Sequence, residues 1–338
     1  MINVTFKNVG QGDSIFLQWK VDNEDRFGIV DCNLKNNANP ILDEIKVNFV
    51  KSIDFIVLSH LHFDHFSGLG QLLEYCIEHK IVIHTFYHTF QTQFFQLLKS
   101  ILVTQAEFSV TQKFLSTYRI ATTKLIIKNV QSITSGIKDH ILNSEFSLQF
   151  LSPIGVDYED FMHKQARIDV NSVSTIPNFN CLSSIIKITN QKKAILLTAD
   201  CCKNQLKRLI GKIPETVELV QVPHHGSINN HLEKFWNVLI KGAFCKAVFS
   251  VGEVKRDKLP NLPVVSYFDQ AGFKVSSTNY VYGIEQHFPL VINTATSTDK
   301  PKISKALNLF SRTKSAPVLI TSSVPRQYEG DIVHKLKA

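Results

Sequence analysis

Four side chains that commonly bind metal ions lie within six residues of one another in the first fifth of the chain. They directly follow the apolar run 54–58 and are His60, His62, Asp64 and His65. In an extended segment, residues two apart point the same way, so His60 and His62 would converge on one ion. Asp64 and His65 would turn towards a second ion where the next helix begins. The spacing therefore predicts a site for two metal ions rather than a histidine-rich loop.

Two further runs in the second half of the chain also end in ligand-type residues. The run LLTAD ends at Asp200, and the run VPHHGS contains His224 and His225. A carboxylate at a strand end can bridge two cations, and a neutral imidazole can complete the coordination of one of them. We therefore expect separated segments to meet in one dinuclear centre.

The elements that must position these residues are short strands and helices in both halves of the chain. Runs rich in β-branched and aromatic residues predict strands at 4–6, 14–19, 27–30, 55–58, 184–188, 194–197, 217–222 and 247–251. Apolar residues at helical spacing predict helices at 39–47, 66–79, 203–210 and 231–240. The two halves share one plan, with no repeat of fixed period.

Three segments stand outside this plan. Residues 91–120 crowd Phe and Leu on one side, which predicts a helical insertion or cover. Residues 155–180 are polar and lack periodicity, so we expect a long loop that could serve as a lid. Residues 291–338 form a basic, Ser/Thr-rich C-terminal extension. This extension either docks on the body or on a protein partner, or serves as a flexible linker.

Composition and charge narrow the class of protein. The chain has 338 residues, of which 44% are hydrophobic and 20% charged, and this balance excludes global disorder. The net charge is +8, with +7 in residues 183–260 and −3 in residues 1–182. Such a surplus favours an anionic partner such as nucleic acid, although a solvated basic face has the same composition.

Cysteine usage and hydropathy bear on the compartment. The six cysteines include no CxxC pair, and no secretory leader is evident. We therefore expect a reducing, cytoplasmic location without a disulfide scaffold. No apolar run approaches the roughly 18 residues of a membrane span, so membrane insertion is not expected.

Taken together, the ligand-type residues resemble those of the metallo-β-lactamase-fold hydrolases. The resemblance rests on the HxHxDH pattern of residues 60–65, on Asp200 and on His225. Residues 9–14 (VGQGDS), residues 180–184 and the runs LLTAD and PHHGS look like the hydrolase domain of the competence DNA-uptake protein ComEC and its stand-alone relatives. The likeness covers roughly residues 1–285. It implies an α/β fold, a four-layer αββα sandwich over residues 1–290, with the metal site at one edge between two sheets.

The resemblance also implies roles for individual residues. These are, for the first metal, His60 and His62; for the second metal, Asp64, His65 and His225; and bridging both, Asp200. His224 would lie behind the ligands or contact the substrate. Asp64 and Asp200 would hold and orient the nucleophile, which makes them, with His224, the candidate catalytic residues.

The chain departs from the wider family at the first metal. Asn180 stands where that family has a third histidine, as in ComEC-type members, so the first ion would bind more weakly. His140 and His163 lie in the same interval and are interpreted as surface histidines. A His-Pro pair typical of ComEC-type members is replaced by Leu259 and Pro260.

Three more residues are candidates for supporting or substrate-binding roles. Asp31 resembles the family's buried aspartate, which orients metal ligands by hydrogen bonds. Asp13, beside a turn at Gly12, would cap that turn or support the site. Ser227 would either contact a phosphate oxygen or cap the following helix.

These observations lead to the hypothesis of a metal-dependent phosphodiesterase or nuclease acting on DNA or RNA. A hydroxide held by two divalent ions, Zn²⁺ or Mn²⁺, would attack phosphorus. Lys and Arg side chains of the second half would attract the anionic substrate. Two alternatives stay open. One keeps the site but takes a small phosphodiester, such as a cyclic nucleotide or a phosphocholine-type ester, and the other is a catalytically lapsed module that binds nucleic acid or a protein partner.

Overall fold

Two mixed β-sheets form the centre of the protein. The computed structural model describes residues 1–90, 104–166, 178–254, 258–289 and 330–337. The first sheet contains β1 (Ile2–Phe6), β2 (Ser14–Val21), β3 (Glu24–Cys32), β4 (Ser52–Leu58), β5 (Val82–His88) and β6 (Ile127–Ser132). The second contains β7 (His140–Ile141), β8 (Ser147–Ser152), β9 (Ile185–Thr189), β10 (Lys193–Leu197), β11 (Thr216–Gln221), β12 (Lys241–Phe249) and β13 (Lys274–Ser277). The last strand, β14 (Ile332–Leu336), lies at the edge of the first sheet.

Helices connect these strands. In the described ranges they are α1 (Pro40–Val47), α2 (Phe63–Phe66), α3 (Leu69–Glu78), α4 (Gln105–Thr123), α5 (Gly155–Ala166), α6 (Lys203–Arg208), α7 (Glu233–Asn237), α8 (Leu262–Gln270) and α9 (Gly283–His287). Two 3-10 turns, Phe179–Leu182 and Pro223–Gly226, lie close to the candidate ligands. None of the helices in these ranges combines the length and the apolar character needed to cross a bilayer.

The strand directions place the candidate residues just after the carboxyl ends of strands in the two sheets. The first sheet runs β14-β1-β2-β3-β4-β5-β6, and the second runs β13-β12-β11-β10-β9-β8-β7. In the first sheet β3, β4, β5 and β6 are parallel, and in the second β10, β11, β12 and β13 are parallel. Because parallel strands end at the same edge, the segments that follow β4, β10 and β11 can meet there.

Three apolar layers hold the sheets and helices together. The layer between the sheets joins Leu17 and Val57 of the first sheet to Leu219 and Val248 of the second. A second layer packs α1, α3, α4 and α5 onto the outer face of the first sheet. A third layer packs α6, α7, α8 and α9 onto the outer face of the second sheet. The predicted four-layer αββα sandwich is therefore confirmed.

Residues 155–166 correct one expectation about the connections. The polar sequence of residues 155–180 predicts a loop, whereas the first twelve of these residues form α5. Tyr158, Phe161 and Met162 pack against the core of the first sheet, at the spacing of one helical face. Intervening acidic residues hide this spacing in the sequence. The remainder of the expected loop lies mostly outside the described residues.

The predicted helical segment 91–120 is described only in part. Residues 91–103 lie outside the described ranges, and α4 occupies 105–123. The helix begins with a capping box, in which the Thr104 hydroxyl accepts from the Glu107 amide and the Glu107 carboxylate accepts from the Thr104 amide. Phe114 is fully buried close to Gly70 of α3, so α4 is part of the helical layer.

The C-terminal residues form a strand on the body of the protein. β14 pairs antiparallel with β1 along its full length, from Ile2 opposite Leu336 to Phe6 opposite Ile332. Asp331 accepts hydrogen bonds from the Lys7 ammonium and from the Asn8 amide. The end of the predicted extension therefore covers the edge of the first sheet.

The two histidines interpreted as surface residues differ in their surroundings. His163 is exposed, as expected. His140 is half-buried, which corrects the prediction, because its ring packs edge-on against Phe55 and its Nδ1 lies 3.0 Å from the Tyr87 hydroxyl. The apolar layer between the sheets therefore accounts for His140.

A buried histidine in the outer layer of the second sheet predicts a pH-dependent stability. His231 lies edge-on to the rings of Tyr267 and Phe268, and burial together with the charge of Lys203 lowers its pKa to about 4. Between pH 6.5 and 4 the unfolded chain binds a proton that the folded chain does not, so the free energy of unfolding falls as pH decreases. We expect His231→Phe to remove up to about 3 kcal/mol of this loss.

The measurement is urea unfolding of the metal-free protein at pH 7 and pH 4.5. Wild type and His231→Phe are compared at both values, so that all other titrating groups cancel. An unchanged difference between the two pH values in the variant would show that His231 does not couple to folding.

Candidate metal centre

The segment after β4 turns back on itself and brings three histidines together. His62 precedes α2 in an extended conformation, and the His65 amide donates to the His62 carbonyl at 3.0 Å. The ring centroid of His60 lies 4.6 Å from that of His62 and 4.2 Å from that of His65. The structure thus brings His60 and His62, which the sequence assigns to one ion, close to His65, which it assigns to a second.

Asp200 reaches the same place from the end of β10. The chain turns sharply at Ala199, whose φ is +44°. The side-chain oxygen of Gln221 accepts from the amides of Thr198 and Ala199, both at 3.0 Å, and so fixes this turn. Asp200 is 1% exposed, so its carboxylate is held inside the protein.

His224 and His225 follow β11 in a left-handed turn. Their φ angles are +48° and +55°, values that are uncommon for residues other than glycine. The His225 Nδ1 donates to the Ser250 carbonyl at 2.7 Å, at the end of β12. The His224 Nδ1 donates to the Asn230 side-chain oxygen at 2.8 Å. Strain of this kind persists only where the surrounding structure fixes it, and here it aims both rings at Asp200.

The distances define two groups of side chains that share the surroundings of Asp200. One group is His60, His62 and Asp200, and the other is Asp64, His65 and His225; a further group, Asp13, His65 and Asp200, links the two. The Asp200 Oδ2 lies 3.7 Å from His60 Nε2, and its Oδ1 lies 3.4 Å from His65 Nε2 and 3.6 Å from His225 Nε2. Asp64 Oδ2 lies 3.2 Å from His225 Nε2. Every predicted ligand therefore belongs to one compact cluster.

The chemistry of the buried donor atoms fits divalent cations. Among the described residues, the buried Nε2 atoms of His60 and His65 and the Oδ1 atom of Asp200 have no hydrogen-bond partner. The Nδ1 atoms of the two histidines form hydrogen bonds, that of His65 with the Asp31 carboxylate at 2.7 Å and that of His60 with the Ser59 hydroxyl at 3.1 Å. A bonded Nδ1–H leaves the lone pair of Nε2 free for a metal. Buried polar atoms without partners are costly, and cations would satisfy them.

The protonation preferences of the cluster agree with this interpretation. Burial lowers the pKa of His60 well below its usual range. Burial by itself would lower the pKa of His225, but the carboxylates of Asp200, Asp64 and Asp13 together raise that pKa to about 9. For His65 the carboxylates of Asp200, Asp31 and Asp64 together outweigh burial and raise the pKa. The field of the carboxylates thus favours positive charge at the centre of the cluster.

Asp31 supports the cluster through hydrogen bonds to Ser59 and His65. Its carboxylate accepts from the Ser59 amide at 2.8 Å, from the Ser59 hydroxyl at 2.6 Å and from His65 Nδ1 at 2.7 Å. The residue is 1% exposed, and its φ is +58°. These bonds fit the orienting role that the sequence resemblance implies.

Asp13 contacts the cluster through a residue that the sequence analysis missed. Gln221 donates to the Asp13 carboxylate at 2.7 Å while its oxygen holds the turn before Asp200. Asp13 Oδ2 lies 3.6 Å from His65 Nδ1, and burial raises the pKa of Asp13 to about 6. Gln221 carries no motif signal, and only its position at the end of β11 hints at its role.

Gly12, in the VGQGDS run, lies where two other segments of the chain approach its backbone closely. Its φ is +123°, and a Cβ atom there would lie 2.2 Å from Asn33 Nδ2 and 2.4 Å from the Asp64 carbonyl. The Asp13 amide donates to that same carbonyl at 3.0 Å. The glycine therefore permits a close approach that positions the Asp64 backbone.

Asn180 and Ser227, the remaining predicted supporting residues, make different contacts near the cluster. Asn180 is buried, and its side-chain nitrogen is 3.3 Å from His224 Nδ1. The Ser227 hydroxyl accepts from the Asn229 amide at 3.3 Å, which fits a turn-capping role. Thus Asn180 contacts His224, which lies beside Asp200, and Ser227 supports the turn that follows His225.

A family comparison agrees with the fold and the cluster. Residues 9–200 match the family described as the metallo-beta-lactamase superfamily. Because this match spans more than half of the chain, the protein belongs to that superfamily of metal-dependent hydrolases. The sequence matches no curated protein.

Several solved structures are similar to this chain at low identity. YhfI from Bacillus subtilis, a metallo-beta-lactamase fold protein, is 13% identical over 82% of this chain and 85% of its own, with a TM-score of 0.38. Zn²⁺-bound PqqB from Methylobacterium extorquens is 11% identical over 82% and 98%, with a TM-score of 0.45. A diphosphatase from the PhnP family is 13% identical over 82% and 95%, with a TM-score of 0.41.

Proposed function

We propose that the protein is a metal-dependent phosphodiesterase that cleaves nucleic acid, and that it is a ComEC-type member of its superfamily. The observation that carries the proposal is the cluster around Asp200, in which six ligand-type side chains converge and three buried ligand atoms lack partners. A lapsed binding module would gain nothing from keeping such atoms unpaired. The motifs at residues 9–14 and 180–184 support the ComEC-type assignment.

In this proposal the two groups of side chains hold two divalent cations, Zn²⁺ or Mn²⁺. His60 and His62 would hold one, Asp64, His65 and His225 would hold the other, and Asp200 would contribute its carboxylate to both. Such cations, when bound, polarise a phosphoryl oxygen, acidify a water molecule and stabilise the leaving oxygen. Asp31 keeps His65 in the tautomer that frees Nε2, and the Ser250 carbonyl does the same for His225.

His224 is the candidate for direct contact with the substrate. Its side chain is 30% exposed, and its Nε2 lies 3.6 Å from Asp200 Oδ2. The bond from its Nδ1 to Asn230 fixes the ring and leaves Nε2 free for a phosphate or a leaving oxygen. Asp64, whose side chain is 34% exposed, is another partly exposed side chain of this kind. The pair therefore marks where a scissile phosphodiester would enter.

Charge supports a polyanionic substrate over a neutral one. Residues 183–260 carry +7, and this segment contains Asp200, His224 and His225. Phosphate backbones bind to Lys and Arg side chains largely through charge, without regard to base sequence. A basic surplus in the segment that carries these residues would therefore attract DNA or RNA.

Cleavage of nucleic acid by the metal-stripped protein after addition of Mn²⁺ or Zn²⁺ tests this proposal. Single- and double-stranded DNA and RNA are the substrates. We expect metal-dependent cutting that falls at least about 10²-fold in His62→Ala and in Asp64→Asn, because each variant removes a ligand. His163→Ala, which removes an exposed histidine away from the cluster, is the matched control.

Failure would take one of two forms. Cleavage of a cyclic nucleotide but of neither DNA nor RNA would keep the centre and replace the substrate. Full metal loading with no turnover of any phosphodiester, together with nucleic-acid binding, would replace the enzyme by a binding module.

A further inference from the structure

Two cysteines lie on the segments that flank the metal cluster. Cys181 belongs to the 3-10 turn Phe179–Leu182 and follows Asn180. Cys202 comes two residues after Asp200 and directly precedes α6. Their Sγ atoms are 2.8 Å apart, although the two residues are distant in the sequence. Neither thiol has a part in the chemistry proposed above.

These two thiols are accessible, and the other cysteines are not. Cys181 and Cys202 are half-buried and line a small cavity together with Lys164, Arg208, Asp157 and Asp160. The remaining cysteines, which are Cys32, Cys76, Cys201 and Cys245, are buried. A small oxidant in solution would therefore meet this pair first.

The geometry and the local charge favour bond formation between them. A disulfide has an S–S length of about 2.05 Å, so closure needs a movement of roughly 0.8 Å. The hydrogen bond from Cys202, aided by the charge of Lys164, lowers the pKa of Cys181 to about 7. Cys181 is thus the thiol that attacks, and Cys202 is placed to resolve the product.

We propose that Cys181 and Cys202 are a reversible redox pair that forms an intramolecular disulfide beside the metal cluster, with a small disulfide such as oxidised glutathione as the oxidant. The Cys181 thiolate attacks one sulfur of glutathione disulfide, forms a mixed disulfide and releases one glutathione. Cys202 then attacks the Cys181 sulfur and releases the second glutathione. Two protein thiols lose their hydrogens, and one glutathione disulfide becomes two glutathione thiols, so atoms and electrons balance.

The bond would join the turn that carries Asn180 to the segment that carries Asp200. These two segments border the same group of side chains, since Asn180 contacts His224 and His224 lies beside Asp200. A cross-link of this kind restricts the unfolded chain, so the oxidised protein should melt a few degrees higher than the reduced protein. The proposal concerns a bond within the protein and does not depend on the identity of the substrate.

Disulfide mapping of the full-length protein tests the proposal directly. The metal-loaded chain is incubated with glutathione disulfide, free thiols are alkylated, and the digest is analysed by mass spectrometry. We expect one cross-link, between the peptides of Cys181 and Cys202, which dithiothreitol reverses. The melting temperature is recorded before and after oxidation on the same samples.

Variants at neighbouring positions separate this pair from general oxidation. Cys181→Ser and Cys202→Ser should abolish the cross-link, whereas Cys201→Ala should keep it. Mapping of the wild-type protein stands by itself if a variant fails to fold. A lasting glutathione adduct on Cys181, a cross-link to Cys201, or no oxidation of either thiol would each overturn the proposal.

Discussion

Replacing Asp200 by Asn is expected to lower hydrolytic activity by about 10³-fold or more and to reduce the amount of bound metal. Within the described residues Asp200 belongs both to the group with His60 and His62 and to a group with His65. Its Oδ1 and Oδ2 atoms each face imidazole Nε2 atoms at 3.4–3.7 Å. An amide would remove the charge that joins the two groups and would direct one N–H into them. A loss of about 4 kcal/mol of transition-state stabilisation corresponds to this change in rate.

The measurement is kcat/KM for bis(p-nitrophenyl) phosphate, with metal content determined on the same samples. Asp25→Asn serves as the control, because Asp25 is exposed in the hairpin formed by β2 and β3. This substitution changes the net charge by the same amount as Asp200→Asn. Two bound metal ions and wild-type kcat/KM in Asp200→Asn would contradict the bridging role.

Much of the cluster could be predicted from the sequence because strand ends are visible there. Short runs rich in apolar and β-branched residues mark β4, β10 and β11, and the first ligand-type residue comes two or three residues after each strand ends. Parallel strands end at a common edge, so residues such as His60 and Asp200 meet without being close in the chain. The two-sheet sandwich itself is implied by the family resemblance, and the similar order of strands and helices in both halves of the chain agrees with it.

The supports of the cluster could not be predicted in the same way. The bonds from Gln221 to Asp13 and from His225 to the Ser250 carbonyl join residues that are distant in sequence, and no motif marks them. The left-handed backbone at Ala199 and His224 is likewise imposed by tertiary contacts.

The helix α5 was missed for a different reason. Its apolar residues Tyr158, Phe161 and Met162 do follow helical spacing, but acidic residues on the other face lower the hydrophobic signal. Packing on the core of the first sheet, rather than local composition, decides that this segment is helical.

Asp31→Ala is expected to lower the free energy of unfolding of the metal-free protein by about 3–5 kcal/mol and metal affinity by about 10- to 100-fold. Asp31 is buried, and its carboxylate accepts three hydrogen bonds, two from Ser59 and one from His65. Truncation leaves these donors unpaired inside the protein. It also frees the His65 ring to rotate, because the bond that fixes its tautomer is lost.

A matched control separates these lost bonds from backbone strain. Asp31 has a φ of +58°, a conformation in which alanine is strained, and Asp22 in the turn before β3 has a φ of +50° but is exposed. Asp22→Ala therefore introduces similar strain without removing any buried acceptor. Urea unfolding in the presence of a chelator measures stability, and titration with Zn²⁺ or Mn²⁺ measures affinity. If both variants lose equal stability and neither loses metal affinity, then Asp31 acts only through its backbone, and the three bonds do not hold His65 in place for the metal.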